Sequence, residues 1–222
     1  MPGSASTLSA LRSLLAARFP EKNRRPAGCV PTGVAAVDEA LGGGLPVGRL
    51  TEVVSAVASS GGQTLLTRLI EETRVARRRI ALVDGADGFA PESVSADALR
   101  HVVWVRGQDL AQALASADVL VRDGNFAVVV VDLRGCDELA LRKTPSATWH
   151  RLHRATEAGA TAVLVQSTGA LVPAVPCRLI LGRAHALASR RVERGELAAQ
   201  LTVEVARGHA GLLTDGVEAQ AG

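Results

Sequence analysis

CVPTGVAAVDEALGGGLPVGRLTEVVSAVASSGGQTLL, residues 29–66, is the stretch whose reading decides the fold. Val34 to Leu41 reads as a short helix, Gly42 to Gly44 as a glycine hinge, and Leu50 to Ser55 as a strand. Ala56 to Gly62 is a small-residue loop that opens into a new helix at about Gln63. A strand, such a loop and a helix N-terminus make an anion cradle, because the loop and first-turn amides lack intrahelical partners. A phosphate loop of this geometry asks for Gly, four residues, Gly, Lys, then Ser or Thr. Here Val57 stands at the first glycine, Gly62 at the second, Gln63 at the lysine and Thr64 at the hydroxyl. The half of the signature that supplies charge is missing.

Around this stretch the chain has the composition of a folded domain. Its 222 residues suffice for one large domain with small appendages. A hydrophobic fraction of 47% with only 2% aromatics and no Tyr calls for a core of Leu, Val, Ala and Ile. Lys22 and Lys143 are the only lysines, so the net charge of +3 is carried by arginine. That balance permits contact with nucleic acid without demanding it. Cys29, Cys136 and Cys177 lie far apart with no CxxC pair, which argues against a disulfide framework or a zinc site. His101, His150, His153, His185 and His209 show no metal-ligand spacing. No basic leader precedes an apolar run, and no stretch of about 18 or more apolar residues occurs. The expectation is a cytoplasmic protein with no membrane contact.

Ser6 or Thr7 caps a helix reaching about Phe19, with Leu8, Leu11, Leu14 and Leu15 on one face, and Pro20 stops it. That stripe either packs back on its own core or docks on a neighbour. Residues 1–27 therefore read as an N-terminal helix and linker, 28–210 as the main domain and 211–222 as a tail, disordered from Thr214. Thr64 to Arg79 is expected to be a helix, closed by Arg74, Arg77, Arg78 and Arg79 at its negative end. Ile80–Val83, Val102–Val105, Phe126–Val131, Thr161–Val165 and Cys177–Leu181 read as strands. The run Phe126–Val131 has no polar residue, the mark of a parallel strand buried on both faces. Helices are expected over Leu110–Asp123 and Ser146–Glu157, a polar loop over Arg134–Lys143, and a half-exposed strand over Gln200–Ala206. Strands alternating with helices give a mostly parallel α/β sheet, with ligands at the strand C-termini. Asp132 arrives at such an end, where it either caps a neighbouring loop or holds a metal.

The lead-in Thr32, Gly33, Val37, Asp38, Leu41, Gly42, Gly43, Gly44, Pro46, Gly48 and Glu52 resembles that of the RecA superfamily. The resemblance covers residues 29–210 and implies a RecA-like core: a mostly parallel central sheet flanked by helices. Within the superfamily, Trp104-Val105-Arg106, Leu133-Arg134 and the TAVLVQS run from Thr161 look like the ImuA-like family of SOS mutagenesis.

Hydrolysis in a RecA-like site needs a lysine on the phosphates, a hydroxyl on Mg²⁺, an acid at the central strand end and a carboxylate base. Matched by position, Thr64 and Asp132 fill two of these roles. Gln63 replaces the lysine, Ala86 stands where the family has its base, and Asp87 lies one residue further. Gln166 falls where the family places a phosphate-sensing glutamine; with no phosphate to sense it reads as a strand terminator. The resemblance thus implies a degenerate nucleotide site, weak at best, of Ser59, Ser60, Gly61, Gly62, Gln63, Thr64 and Asp132, with no cofactor and no catalytic residue.

The function implied is a non-catalytic adaptor in translesion synthesis. Its partners would be the ImuB-like Y-family polymerase homologue, an error-prone replicative-type polymerase subunit and RecA, with self-association into a homo-oligomer. The alternative is a DNA-dependent ATPase or a DNA-binding recombination mediator. Single-stranded DNA or a partner would meet Arg134, Arg142, Lys143, Arg151, Arg154, Arg183, Arg190, Arg191 and Arg194.

Overall fold

A computed structural model of the chain describes residues 28–182, 185 and 192–207. The leucine-striped segment with Leu8, Leu11, Leu14 and Leu15, the tail beyond residue 207, and Arg183, Arg190 and Arg191 lie outside the described residues.

The elements in chain order are β1 (Cys29–Val30), α1 (Ala35–Ala40), β2 (Leu45–Pro46), β3 (Leu50–Val54), α2 (Gly62–Val75) and β4 (Ile80–Asp84). A 3₁₀ turn at Pro91–Ser93 leads to α3 (Ala96–Leu99), β5 (Val102–Arg106), α4 (Leu110–Asp123), β6 (Val128–Asp132) and α5 (Glu138–Arg142). Then come α6 (Ser146–Glu157), β7 (Ala162–Ser167), β8 (Cys177–Leu181), α7 (Arg194–Ala199) and β9 (Val203–Arg207). Seven strands form one sheet in the order β5-β4-β6-β7-β3-β8-β9. Every neighbouring pair is parallel except β8 with β9. β1 and β2 make a separate two-stranded antiparallel ribbon in front of the sheet.

Alternation along the buried strands builds the two core layers. Ile80, Leu82, Val128, Val130 and Leu164 face one side and pack with Leu65, Leu66, Leu69 and Ile70 of α2. Ala81, Val83, Val129, Val131 and Val163 face the other and pack with Ala113, Ala117 and Val121 of α4 and Trp149 and Leu152 of α6. Each fully buried valine or leucine contributes about 1.5–3 kcal/mol. β6, the third of seven strands, is therefore covered on both faces in a three-layer α/β/α sandwich, as its unbroken apolar run requires.

The structure alters several boundaries. α2 stops at Val75, short of Arg79, because Arg77 turns into the left-handed region at φ 54° and Arg78 N–H bonds back to the Thr73 carbonyl. Arg74 pairs with Asp97 instead of standing free at the helix end. The expected loop Arg134–Lys143 contains α5, whose first turn is capped by Asp137 accepting from Ala140 N–H at 2.7 Å. The alanine- and arginine-rich stretch after β8 contains α7. The glycine hinge opens the way to β2, which pairs with Cys29 and Val30.

Candidate functional site: the loop at the strand ends

Parallel register brings the informative polar residues to one rim. Asp84 pairs with Asp132 across β4 and β6, and Asp132 with Gln166 across β6 and β7. Val54 pairs with Ser167, and Ser55 N–H continues that ladder to the Ser167 carbonyl at 2.7 Å. The loop 56–61 leaves this rim and returns as α2, whose first residue is Gly62 and whose N-cap is Gly61. Gly61 has φ 102°, a conformation that favours glycine, and a Cβ there would strike the Leu201 side chain. A Cβ on Gly62 would strike the Arg134 guanidinium. Gly61 is thus favoured by the backbone conformation, while a side chain at Gly62 would displace the Arg134 guanidinium and crowd Ser55 Oγ.

A cavity of about 620 Å³ lies over this loop. Its walls include Ser59, Ser60, Gly61, Gly62, Gln63 and Thr64, with Arg134 on one side and His185 and Leu197 on another. His185 N–H donates to the Ser59 carbonyl at 2.8 Å, which holds His185 against the loop. The juxtaposition unites six of the seven residues expected at the site. The seventh, Asp132, lies just beneath, 5% exposed.

Arg134, expected to meet nucleic acid or a partner, lines the cavity with its guanidinium turned onto Asp132. Its Nε donates to Asp132 Oδ1 at 2.8 Å and its Nη2 to Asp132 Oδ2 at 2.5 Å. Nη2 also reaches Gln63 Oε1 at 3.2 Å, while the Gln63 amide nitrogen donates to Ser93 Oγ at 3.3 Å. The reason is local. Side chains two residues apart beyond a strand end share one side, and a fork of guanidinium nitrogens matches a carboxylate in two bonds. The Asp132–Arg134 spacing is the signal that would have shown it.

Gln166 is fully buried, and its amide donates to the Gly62 carbonyl at 3.3 Å, tying the third strand end to the start of α2. Asp84 is consumed by its own turn: it accepts from Gly88 N–H and Phe89 N–H, both at 2.9 Å, and from Trp104 Nε1 at 3.3 Å. Asp87, the neighbour of Ala86, faces away from the cavity. It adopts φ 54° and turns to the sheet edge, where Arg106 binds it and also stacks over Trp104. Ala86 is exposed and Asp87 is no part of the cavity wall. Cys136, packed beside Gly85, has its thiol pushed up to about 11 by burial, with the Asp132 and Asp84 charges adding to the effect. It stays a neutral thiol at neutral pH.

These residues do not fit a magnesium nucleotide. Thr64 still presents a hydroxyl, but both Asp132 oxygens serve Arg134, and Gln63 is spent on Arg134 and Ser93. Among the described residues no cluster of three His, Cys, Asp or Glu could hold a metal. No helix among them is long and apolar enough to cross a membrane.

The remaining candidate cations lie elsewhere. Arg151 and Arg154 are exposed on α6 and, with Arg122 and His150, line a second cavity on the opposite layer, at the α4–α6 face. Arg122 pairs with Asp118 at 3.0 Å, and Arg151 stands 3.7 Å from the same carboxylate. Arg142 is exposed and paired with Glu138 one turn earlier, and Lys143 is exposed at the end of α5. Arg194 opens α7. His153, half-buried, sits 3.8 Å from Glu157.

Comparison with known proteins agrees with this architecture. Residues 15–138 match the RecA N-terminal domain. Over 119 residues the chain is 34% identical to Protein RecA of Streptomyces ambofaciens, covering 52% of this chain and 32% of that one. Over 121 residues it is 36% identical to Protein RecA of Nocardia farcinica and 38% identical to that of Clavibacter michiganensis. Those alignments cover 52% of this chain and 34% and 32% of the relatives. The chain spans about a third of the length of the curated relatives it matches. A match across more than half its residues, laid on a seven-stranded RecA-like sheet, places the chain in the RecA N-terminal domain family.

Proposed function

We propose that this protein is a non-catalytic RecA-like adaptor of the ImuA-like kind, acting in the cytoplasm during DNA-damage-induced mutagenesis. In this reading it links an ImuB-like Y-family polymerase homologue to an error-prone replicative-type polymerase and modulates RecA. It uses surfaces of the fold, as a homo-oligomer, and no phosphate chemistry. The supporting observation is the Asp132–Arg134 pair. An acid that would position a metal gives both oxygens to an internal guanidinium, and that guanidinium rests over the cradle at Gly62. Gln63 supplies no charge to replace it. Removing a cation that faces polyphosphate costs about 2–5 kcal/mol of binding, and the methyl group of Ala86 removes the base, worth roughly 10²–10⁴ in rate.

The test is ATP turnover with and without single-stranded DNA, alongside co-purification with the polymerase homologue. We expect turnover no greater than the blank and retention of the partner. Turnover abolished by Asp132→Ala would favour the alternative, a DNA-dependent ATPase or recombination mediator. Direct contact with single-stranded DNA is compatible with the adaptor role, and the α4–α6 face with Arg122, Arg151 and Arg154 supports it. Such binding would weaken steeply with salt.

A further inference from the structure

We infer that the cavity over the loop receives one carboxylate side chain, an Asp or Glu flanked by apolar residues, presented by a partner protein. This deepens the adaptor reading and rests on it, by naming the place where a partner engages.

Three observations converge. The first is unspent donor capacity. Ser55 Oγ and Ser60 Oγ are buried in the cavity wall without a hydrogen-bond partner among the described residues, in residues 8% and 2% exposed. A buried hydroxyl left unsatisfied costs about 1–3 kcal/mol, so two at one wall mark a place for an acceptor. The Arg134 fork points the same way: Nε and Nη2 serve Asp132 and Gln63, whereas Nη1, standing over Gly62, has no acceptor among the described residues.

The second observation is the amount of charge. Arg134 is balanced by Asp132, Gln63 is neutral, and what remains is the positive end of the 14-residue helix α2. That end is equivalent to about half an elementary charge. Such a site matches a monoanion. It is poorly matched to a triphosphate, whose charge would need a lysine and a metal that these residues do not hold.

The third is the collar. Ala56, Val57, Ala58 and Leu197 line the same cavity, and Val57 is 48% exposed at the loop crest. A volume of about 620 Å³ leaves room beyond one carboxylate for apolar neighbours. An apolar rim around a charged centre is the anatomy of a protein–protein anchor.

The experiment titrates the full chain, amide-labelled for NMR, with the blocked peptide acetyl-Ala-Leu-Glu-Leu-Ala-amide. Its Glu→Gln counterpart, inorganic phosphate and MgATP are the other arms. We expect the Glu peptide to shift the Gly61 and Gly62 amides and the Gln peptide to bind at least about tenfold more weakly. Ser60→Ala and Arg134→Gln should each weaken the Glu peptide by at least about tenfold. Ser60→Ala should leave the melting temperature unchanged or higher, since its hydroxyl has no partner to lose; a merely structural serine would lower it. Equal binding of the Glu and Gln peptides, no shift at Gly61 and Gly62, or phosphate or MgATP binding more tightly than the peptide would overturn the inference. Failure here with no ATP turnover leaves the adaptor reading standing with its contact elsewhere, whereas ATP turnover would remove both.

Discussion

The acid–arginine pairs Glu52–Arg178 and Asp132–Arg134 share one chemistry and are both sheltered, yet their surroundings differ. Glu52 on β3 meets Arg178 on β8 at 2.6 Å, and Asp132 at the end of β6 meets Arg134 at 2.5 Å. The arginine side chains are equally sheltered, each 19% exposed. What differs is the rest of each network. Glu52 Oε1 accepts the amides of Leu171 and Val172 at 2.6 and 3.1 Å, and Arg178 Nη2 donates to the Val172 carbonyl at 2.7 Å. These bonds tie the pair to a segment more than a hundred residues away in sequence. The Asp132 pair spans two residues and borders the cavity. The first pair joins segments distant in sequence, and the second stands at a cavity wall.

The contrast predicts unequal damage. Glu52→Ala should be the most destructive change, about 3–5 kcal/mol, because it strands a buried guanidinium and two amides. Chemical denaturation would measure it, and a loss under about 1 kcal/mol would erase the distinction between the pairs. Asp84→Ala should cost about 1–3 kcal/mol by freeing the Gly88 and Phe89 amides and the Trp104 indole. Trp104 fluorescence would report the loosened turn. Arg134→Ala should cost less than either, since water can enter the cavity beside Asp132. Pairing it with Gln63→Lys returns a cation to the cradle, so calorimetry should find MgATP binding at least about tenfold tighter than in the parent.

The smallest effect concerns the exposed edge. Arg106 beside Asp87 holds that carboxyl below the usual range. A lowered folded value means that the pair stabilises above the ordinary aspartate range and loses this as pH falls through the depressed value. Both groups face solvent, so Arg106→Ala should leave the neutral-pH melting curve unmoved while Asp87 titrates upward by NMR.

The sheet was largely legible beforehand because its signals are local and periodic. The valines of β6 and the leucine and alanine spacing of α4 each state a burial geometry, and the helix Leu110–Asp123 lies where the spacing puts it. α5 escaped because five residues with two charges and a lysine neighbour offer no stripe, and its stability comes from the Asp137 cap and from Leu141 in the core. The ribbon of β1 and β2 is too short for alternation to register. At the site, the cradle residues could be listed by motif position, but the inward turn of Arg134 could not be read from charge counts. A basic residue after a strand belongs equally well to solvent until its acid two positions back is considered. For Asp87, sequence adjacency to Ala86 says nothing about which side of a left-handed turn the carboxylate leaves.

Leu201 leans on Gly61 and His185 reaches Ser59, so the loop formed near residue 60 takes its outer wall from residues synthesised more than a hundred positions later. During translation α2 and its strand would emerge early, with the cradle bare on that side. The recognition pocket is consequently among the last parts of the body to be finished, and a ribosome-bound fragment ending with β8 should carry most of the parallel sheet and an unformed pocket.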